Sequence, residues 1–287
     1  MAPDHDTWRP EGTRGHYGMA TAARWLGHPS RRCAHLPRGP TASQRYPDGM
    51  HPIKIGGLLT ALLLTGCRAR SLPELVIPAG ESPTTWKKSI DQFVAQDRNA
   101  PAAKNGVVFV GSSSIRLWRT LAEDMAPVPV VHRGFGGSKL FDAIYYSDEL
   151  VSKHDPSVVV VFSGTNDIAG KAPKSARRVR DLFRQFVARL RWHDPQLAIC
   201  HIAITPTLAR EQHIPIVEET NRLIRIDCES DPLLTFVDPS VDLVDANGRP
   251  DPQWFIKDRL HLNKRGYAVW THHIRPVVQQ LYERAKK

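Results

Sequence analysis

VVVVFSGTND, residues 158–167, is the stretch on which the fold turns. Four valines and a phenylalanine in a row leave no polar face, so neither side of this strand is meant for water. A strand of that kind belongs in the middle of a parallel sheet covered by helices on both faces. The run then breaks into Ser163-Gly164-Thr165-Asn166-Asp167, residues that favour turns because their short side chains hydrogen-bond nearby backbone.

Working outward, four more strand-like runs lie at 107–110, 128–131, 197–204 and 234–237. Helical stretches sit between and after them, at about 115–125, 139–153, 174–193, 214–229 and 264–285. In 174–193, Val179, Leu182, Phe183, Phe186, Val187 and Leu190 recur at helical spacing on one face. Six arginines occupy the opposite face, which reads as a solvated basic surface. An earlier helix carries Trp86, Ile90 and Phe93 on one side, and residues 97–105 read as a loop. Strands alternating with helices through short connections predict an α/β protein, a right-handed parallel sheet between two helical layers.

The chain of 287 residues has a net charge of +10. The first 49 residues contribute +3 and Lys54 one more, which leaves +6 for residues 67–287. Such an excess suits anionic surroundings, lipid headgroups or acidic glycans, and equally a plain basic surface. No nucleic-acid-binding motif occurs. Neither C-x-x-C nor H-E-x-x-H is present, so no metal site is expected. Cys200 and Cys228 read as isolated buried thiols.

Residues 1–49 show no period and read as disordered, or as sequence upstream of the true start at Met50. Residues 50–66 have a basic Lys54, a short apolar run and small residues, the layout of a secretory signal. Leu64-Thr65-Gly66-Cys67 resembles a bacterial lipobox, whose cysteine becomes a lipidated mature N-terminus. The expectation is an exported protein anchored to a membrane in the cell envelope through Cys67. Residues 67–81 then read as a tether and 82–287 as the folded domain.

In open parallel sheets the ligand site lies beyond the carboxyl ends of the strands. The first strand runs into Gly111-Ser112-Ser113-Ser114. The second reaches His132-Arg133-Gly134-Phe135-Gly136-Gly137, the third Ser163 to Asp167, and before the last helix stands Asp258-Arg259-Leu260-His261. Together they supply a hydroxyl, exposed backbone N–H groups, a side-chain amide and an Asp/His pair, the inventory for acyl transfer. Each has a blander reading as a turn or a helix cap. Without a G-x-S-x-G motif this is not the usual α/β-hydrolase elbow. A serine at a helix start gains from the local dipole, but that argument does not choose among Ser112, Ser113 and Ser114.

These four blocks, in this order, resemble the SGNH or GDSL-type hydrolases, in a branch with GSSS at the first block. The resemblance spans about residues 82–287. It implies the SGNH hydrolase fold, a three-layer α/β/α sandwich around a parallel, flavodoxin-like five-stranded sheet. It also implies Ser113 as nucleophile, His261 as general base and Asp258 as its orienter. The oxyanion hole would be the Ser113 and Gly137 N–H groups with the Asn166 amide. Two positions depart from the pattern: Ser112 replaces the Asp of the family name, and His132 stands where many relatives carry Asn. No cofactor is implied. The expected activity is ester hydrolysis on a small-molecule or glycan substrate, with O-acetyl groups on carbohydrate foremost. The rivals are a lysophospholipase or thioesterase, and a non-catalytic glycan-binding lipoprotein.

Overall fold

The computed structural model describes residues 74–170 and 172–287; the segments 1–49 and 50–66 and the proposed lipidation residue Cys67 lie outside them. Five strands form one parallel sheet: β1 (Val107–Gly111), β2 (Val130–Gly134), β3 (Val158–Phe162), β4 (Ala198–Ile202) and β5 (Leu234–Val237). Their order is β2-β1-β3-β4-β5. The α-helices in chain order are α1 (Lys87–Asn99), α2 (Ser113–Leu117), α3 (Leu121–Met125), α4 (Leu140–Tyr145), α5 (Ser147–Leu150), α6 (Thr165–Ile168), α7 (Ala176–His193), α8 (Ile214–Glu229) and α9 (Lys264–Ala285).

Period-two alternation sorts the strand residues between two cores. Val108, Val110, Val159, Val161 and Ile199 pack with α1, α4, α5, α7 and α8. Val107, Phe109, Val158, Val160 and Phe162 pack on the other face with α2, α3 and α9. Every residue of β1 and β3 is buried, as a central strand with no polar face requires. The chain leaves β1 for the edge strand β2, then crosses back to β3. The β1/β3 boundary is therefore the point where the winding reverses and a crevice opens.

Several boundaries differ from the sequence reading. β2 begins at Val130, not 128, because Pro127 and Pro129 lack the N–H a ladder needs; the Pro129 carbonyl still accepts the Val107 N–H at 2.9 Å. β4 ends at Ile202 because the Asn221 side chain takes both the N–H and the carbonyl of Ile204, each at 2.9 Å. The stretch 115–125 is two short helices split at Trp118. That indole is buried against Phe109, Tyr267 and Trp270 and donates to Asp124 at 2.6 Å. The stretch 139–153 likewise divides into α4, α5 and a turn. The basic face of α7 is not simply solvated: Arg184 and Arg180 meet Asp227, Arg191 meets Asp231, and Arg189 meets Asp148. Cys200 and Cys228 are free and buried.

Candidate functional site

Ser113 is the first residue of α2, directly beyond the carboxyl end of β1. The Ser112 N–H donates to the Phe162 carbonyl of β3 at 3.1 Å, and the Phe135 N–H to the Gly111 carbonyl at 3.0 Å. The turn is thus held from both neighbouring strands. Gly134 lets α2 lie against the end of β2, since a Cβ there would stand 2.1 Å from the Arg116 nitrogen. His132, expected past the strand, lies inside β2, and its Nε2 donates to the Ile115 carbonyl at 2.5 Å. Burial pushes the His132 pKa down, so the ring is neutral and serves this bond. Ser112, expected as a turn or cap residue, occupies the cap position, but its side chain makes no capping bond. Its hydroxyl is fully buried.

Asp258 and His261 occupy a tight loop closed by the Ile256 N–H on the His261 carbonyl at 2.9 Å. Arg259 takes a left-handed conformation, φ 56°, which reverses the chain between them. One Asp258 oxygen accepts the N–H groups of Leu260 and His261 at 2.9 and 3.0 Å. The other faces His261 Nδ1 at 2.6 Å. Partial burial pushes the Asp258 pKa up, but the His261 backbone and side-chain bonds and the Leu260 N–H outweigh it and hold the carboxyl below its usual value. An ionised acceptor at Nδ1 fixes the proton there and leaves Nε2 with its lone pair. That Nε2 lies 2.8 Å from Ser113 Oγ. Asn263, next in the chain, caps α9 by accepting the Gly266 N–H at 3.0 Å. The Tyr267 hydroxyl donates to the Ser114 carbonyl at 2.8 Å and ties α9 to α2.

Asn166 lies in α6, just past β3, and its Nδ2 donates to the Ser138 carbonyl at 2.9 Å. An amide nitrogen carries two hydrogens, so one N–H remains for the cleft. Gly137 precedes Ser138 with φ 78°, exposed at the edge of the cleft, and a Cβ on it would press on the Trp86 ring at 3.0 Å. Ser113, Gly137, Asn166 and His261 line one open cleft of about 470 Å³. On the inner side Ser113 meets a recess of about 20 Å³ walled by Phe162, Thr205, Thr207, Leu262 and Trp270. Sequence blocks spread over about 150 residues thus converge on one hydroxyl. The arrangement can take a proton from an alcohol and set N–H donors around a developing oxyanion.

A family model, the GDSL-like lipase/acylhydrolase family, matches residues 106–269, from β1 into α9. The chain belongs to this family. It is an ester hydrolase of the SGNH type, as the sequence blocks implied. Solved structures share the fold of this GDSL-like acylhydrolase. A GDSL-like lipase from Bacteroides thetaiotaomicron has a TM-score of 0.56 at 16% identity, covering 67% of this chain and 97% of that one. A carbohydrate esterase of family 3 from Talaromyces cellulolyticus has 0.51 at 18%, covering 62% and 97%. An acetyl-xylooligosaccharide esterase from Geobacillus has 0.50 at 15%, covering 60% and 93%. No curated protein matches the chain in sequence.

Two parts of the acylhydrolase site escaped the sequence reading. Arg210, in a 3-10 turn after β4 (Leu208–His213), donates to the Thr165 carbonyl and hydroxyl at 2.9 and 2.7 Å and to Asn166 Oδ1 at 3.0 Å. It fixes which end of the amide faces the cleft. Applying the strand-end rule to β4 as well would have pointed to it. The second part lies before the family match. Glu81 bridges Lys139 and Lys174 at 3.2 and 2.8 Å, and Lys174 also meets Asp167 at 3.0 Å. Trp86 donates to Asp142 at 2.9 Å and packs edge-on against Phe135. Asp142 also accepts the Lys139 N–H at 2.8 Å, so residues 81–86 clamp the 136–140 loop. Nothing in the local pattern of 81–86 signals that contact.

Proposed function

We propose that this acylhydrolase removes short acyl groups, acetyl foremost, from carbohydrate esters, with Ser113 as nucleophile. His261 Nε2 takes the Ser113 proton as Oγ attacks the ester carbonyl, and Asp258 stabilises the imidazolium formed. The tetrahedral oxyanion is held by the Ser113 and Gly137 N–H groups and the free N–H of Asn166. The imidazolium returns the proton to the departing sugar oxygen, leaving an acetyl ester on Ser113. Water, activated by the same imidazole, then releases the acid.

The observation that carries this reading is the difference between the two sides of Ser113. The inner recess of about 20 Å³ has room for one water-sized group, since a water needs about 10–15 Å³ on this measure. A methyl fits there and a fatty chain does not. The outer cleft of about 470 Å³ has room for a sugar beside Trp86. The carbohydrate esterases among the fold neighbours work on chemistry of the same kind. Export and anchoring at Cys67 complete the proposal; palmitate incorporation lost in Cys67→Ala supports it, and incorporation that survives the change refutes it.

The activity test is a series of 4-nitrophenyl acetate, butyrate and octanoate beside an acetylated xylo-oligosaccharide. Acetate should exceed octanoate in kcat/KM by about tenfold or more, one lost contact's worth of transition-state energy. Equal rates on octanoate refute the short-acyl reading. Ser113→Ala should abolish turnover and fluorophosphonate labelling. Labelling that persists in Ser113→Ala but vanishes in Ser114→Ala moves the nucleophile by one residue.

A further inference from the structure

We infer that the outer cleft is built for an acidic sugar: the alcohol portion of the ester carries a carboxylate, and Arg116 and Arg210 receive it. This rests on the carbohydrate-ester reading and names its substrate class. The cleft lining contains both guanidinium groups and no carboxylate. Five described arginines are not exposed: Arg133, Arg180, Arg189, Arg191 and Arg210. The first four each face an aspartate. Arg210 is not among the ion pairs of the described residues; it donates to Thr165 and Asn166. A half-buried charge without a counter-ion is costly unless a ligand supplies one, and burial already pushes the Arg210 pKa down. Asp258, the carboxylate of the proposed triad, faces His261 Nδ1.

Arg116 stands on the other wall of the cleft, one turn after Ser113. Its guanidinium lies along the 136–137 loop; a Cβ on Gly136 would meet its Nε at 2.7 Å and its Cζ at 3.3 Å. Glycine at 136 therefore leaves the guanidinium room in the lining it shares with Ser113. Arg116 likewise takes part in no ion pair among the described residues. Three bonds to Thr165 and Asn166 leave Arg210 two of its five N–H donors. Planar forks of this kind bind carboxylates in two-point fashion, which an ammonium does not. Arg210 lines both the recess and the cleft, whereas Arg116 lines the outer cleft alone, so Arg116 is the group that places the charge on the alcohol side of the scissile bond. Trp86 is on the same lining.

The test measures binding without turnover. The Ser113→Ala protein is titrated calorimetrically with trigalacturonate and with neutral xylotriose, at low and at raised salt. The acidic trisaccharide should bind about tenfold more tightly, a difference that shrinks with salt. Adding Arg116→Gln, an exposed position, should cut the acidic affinity about fivefold or more and narrow the gap to the neutral sugar. Equal affinities for the two sugars overturn the inference. So does an acidic preference unchanged by both Arg116→Gln and Arg210→Lys, or Arg116-dependent binding to phosphatidylglycerol vesicles with none to trigalacturonate. Acidic-sugar binding by a protein whose Ser113 form cleaves no ester would refute the esterase reading alone.

Discussion

The pairing of Arg210 with Asn166 makes a quantitative prediction about transition-state stabilisation. Asn166→Ala removes a proposed oxyanion donor; loss of such a donor costs roughly 3–4 kcal/mol, so kcat should fall by about 10²–10³. Arg210→Gln leaves the donor in place but removes the 3.0 Å bond to Oδ1 and the two bonds to Thr165 that hold α6. The amide is then free to flip or tilt. A misplacement approaching 1 Å costs up to about 10²-fold, so kcat should fall about 10–100-fold with KM changed little. The decisive quantity is the double variant. If Arg210 acts through the amide, Arg210→Gln adds little once Asn166 is alanine, and the two losses are strongly non-additive. The assay is kcat and KM on 4-nitrophenyl acetate, whose neutrality removes direct charge effects, with Tm checked for each variant. A double variant whose loss equals the product of the single losses refutes the positioning role. An Asn166→Ala enzyme with wild-type kcat shows that the residue only forms the turn.

Two further predictions concern the frame around the site. Trp86→Phe keeps the ring packing but removes one of two donors to the buried Asp142 carboxylate, which keeps the Lys139 N–H; a lost bond to a charged group costs roughly 1.5–3 kcal/mol, so Tm should fall by several degrees and kcat with it, and unchanged values for both refute the clamp. His201 is fully buried in β4, edge-on to Phe183 and stacked on Phe236, and burial pushes its pKa from 6.5 down to about 3. The unfolded chain binds its proton near 6.5 and the native ring does not, so this contribution to stability is complete above pH 6.5 and is lost as pH falls towards 3. The slope is about 1.4 kcal/mol per pH unit. In urea unfolding between pH 6.5 and 4.5, His201→Leu should flatten the pH dependence by that amount; an identical slope in the variant refutes it.

Wherever burial follows a repeat along the chain, residue order alone was enough. VVVVF announced a central strand because a strand with two apolar faces has only one place to go. Val179 to Leu190 announced the buried stripe of α7 in the same way, since helical spacing puts those side chains on one side. The Asp258/His261 pair was also legible, because only two residues join them and their geometry is local. Boundaries slipped where distant groups intervene: Asn221 ends β4 by bonding Ile204, and Asp227 of α8 and Asp231 just beyond it pair with arginines of α7. The same limit governed the site. Three adjacent serines are locally equivalent, and only the fold shows that Ser113 is the one 2.8 Å from an imidazole 148 positions away. The bond from Arg210 to Asn166 and the place of Trp86 beside Gly137 were invisible for that reason, although the strand-end rule applied to β4 would have pointed to Arg210 itself. Period and turn chemistry act over a few residues, whereas these contacts arise when five strands stack in an order the chain does not follow.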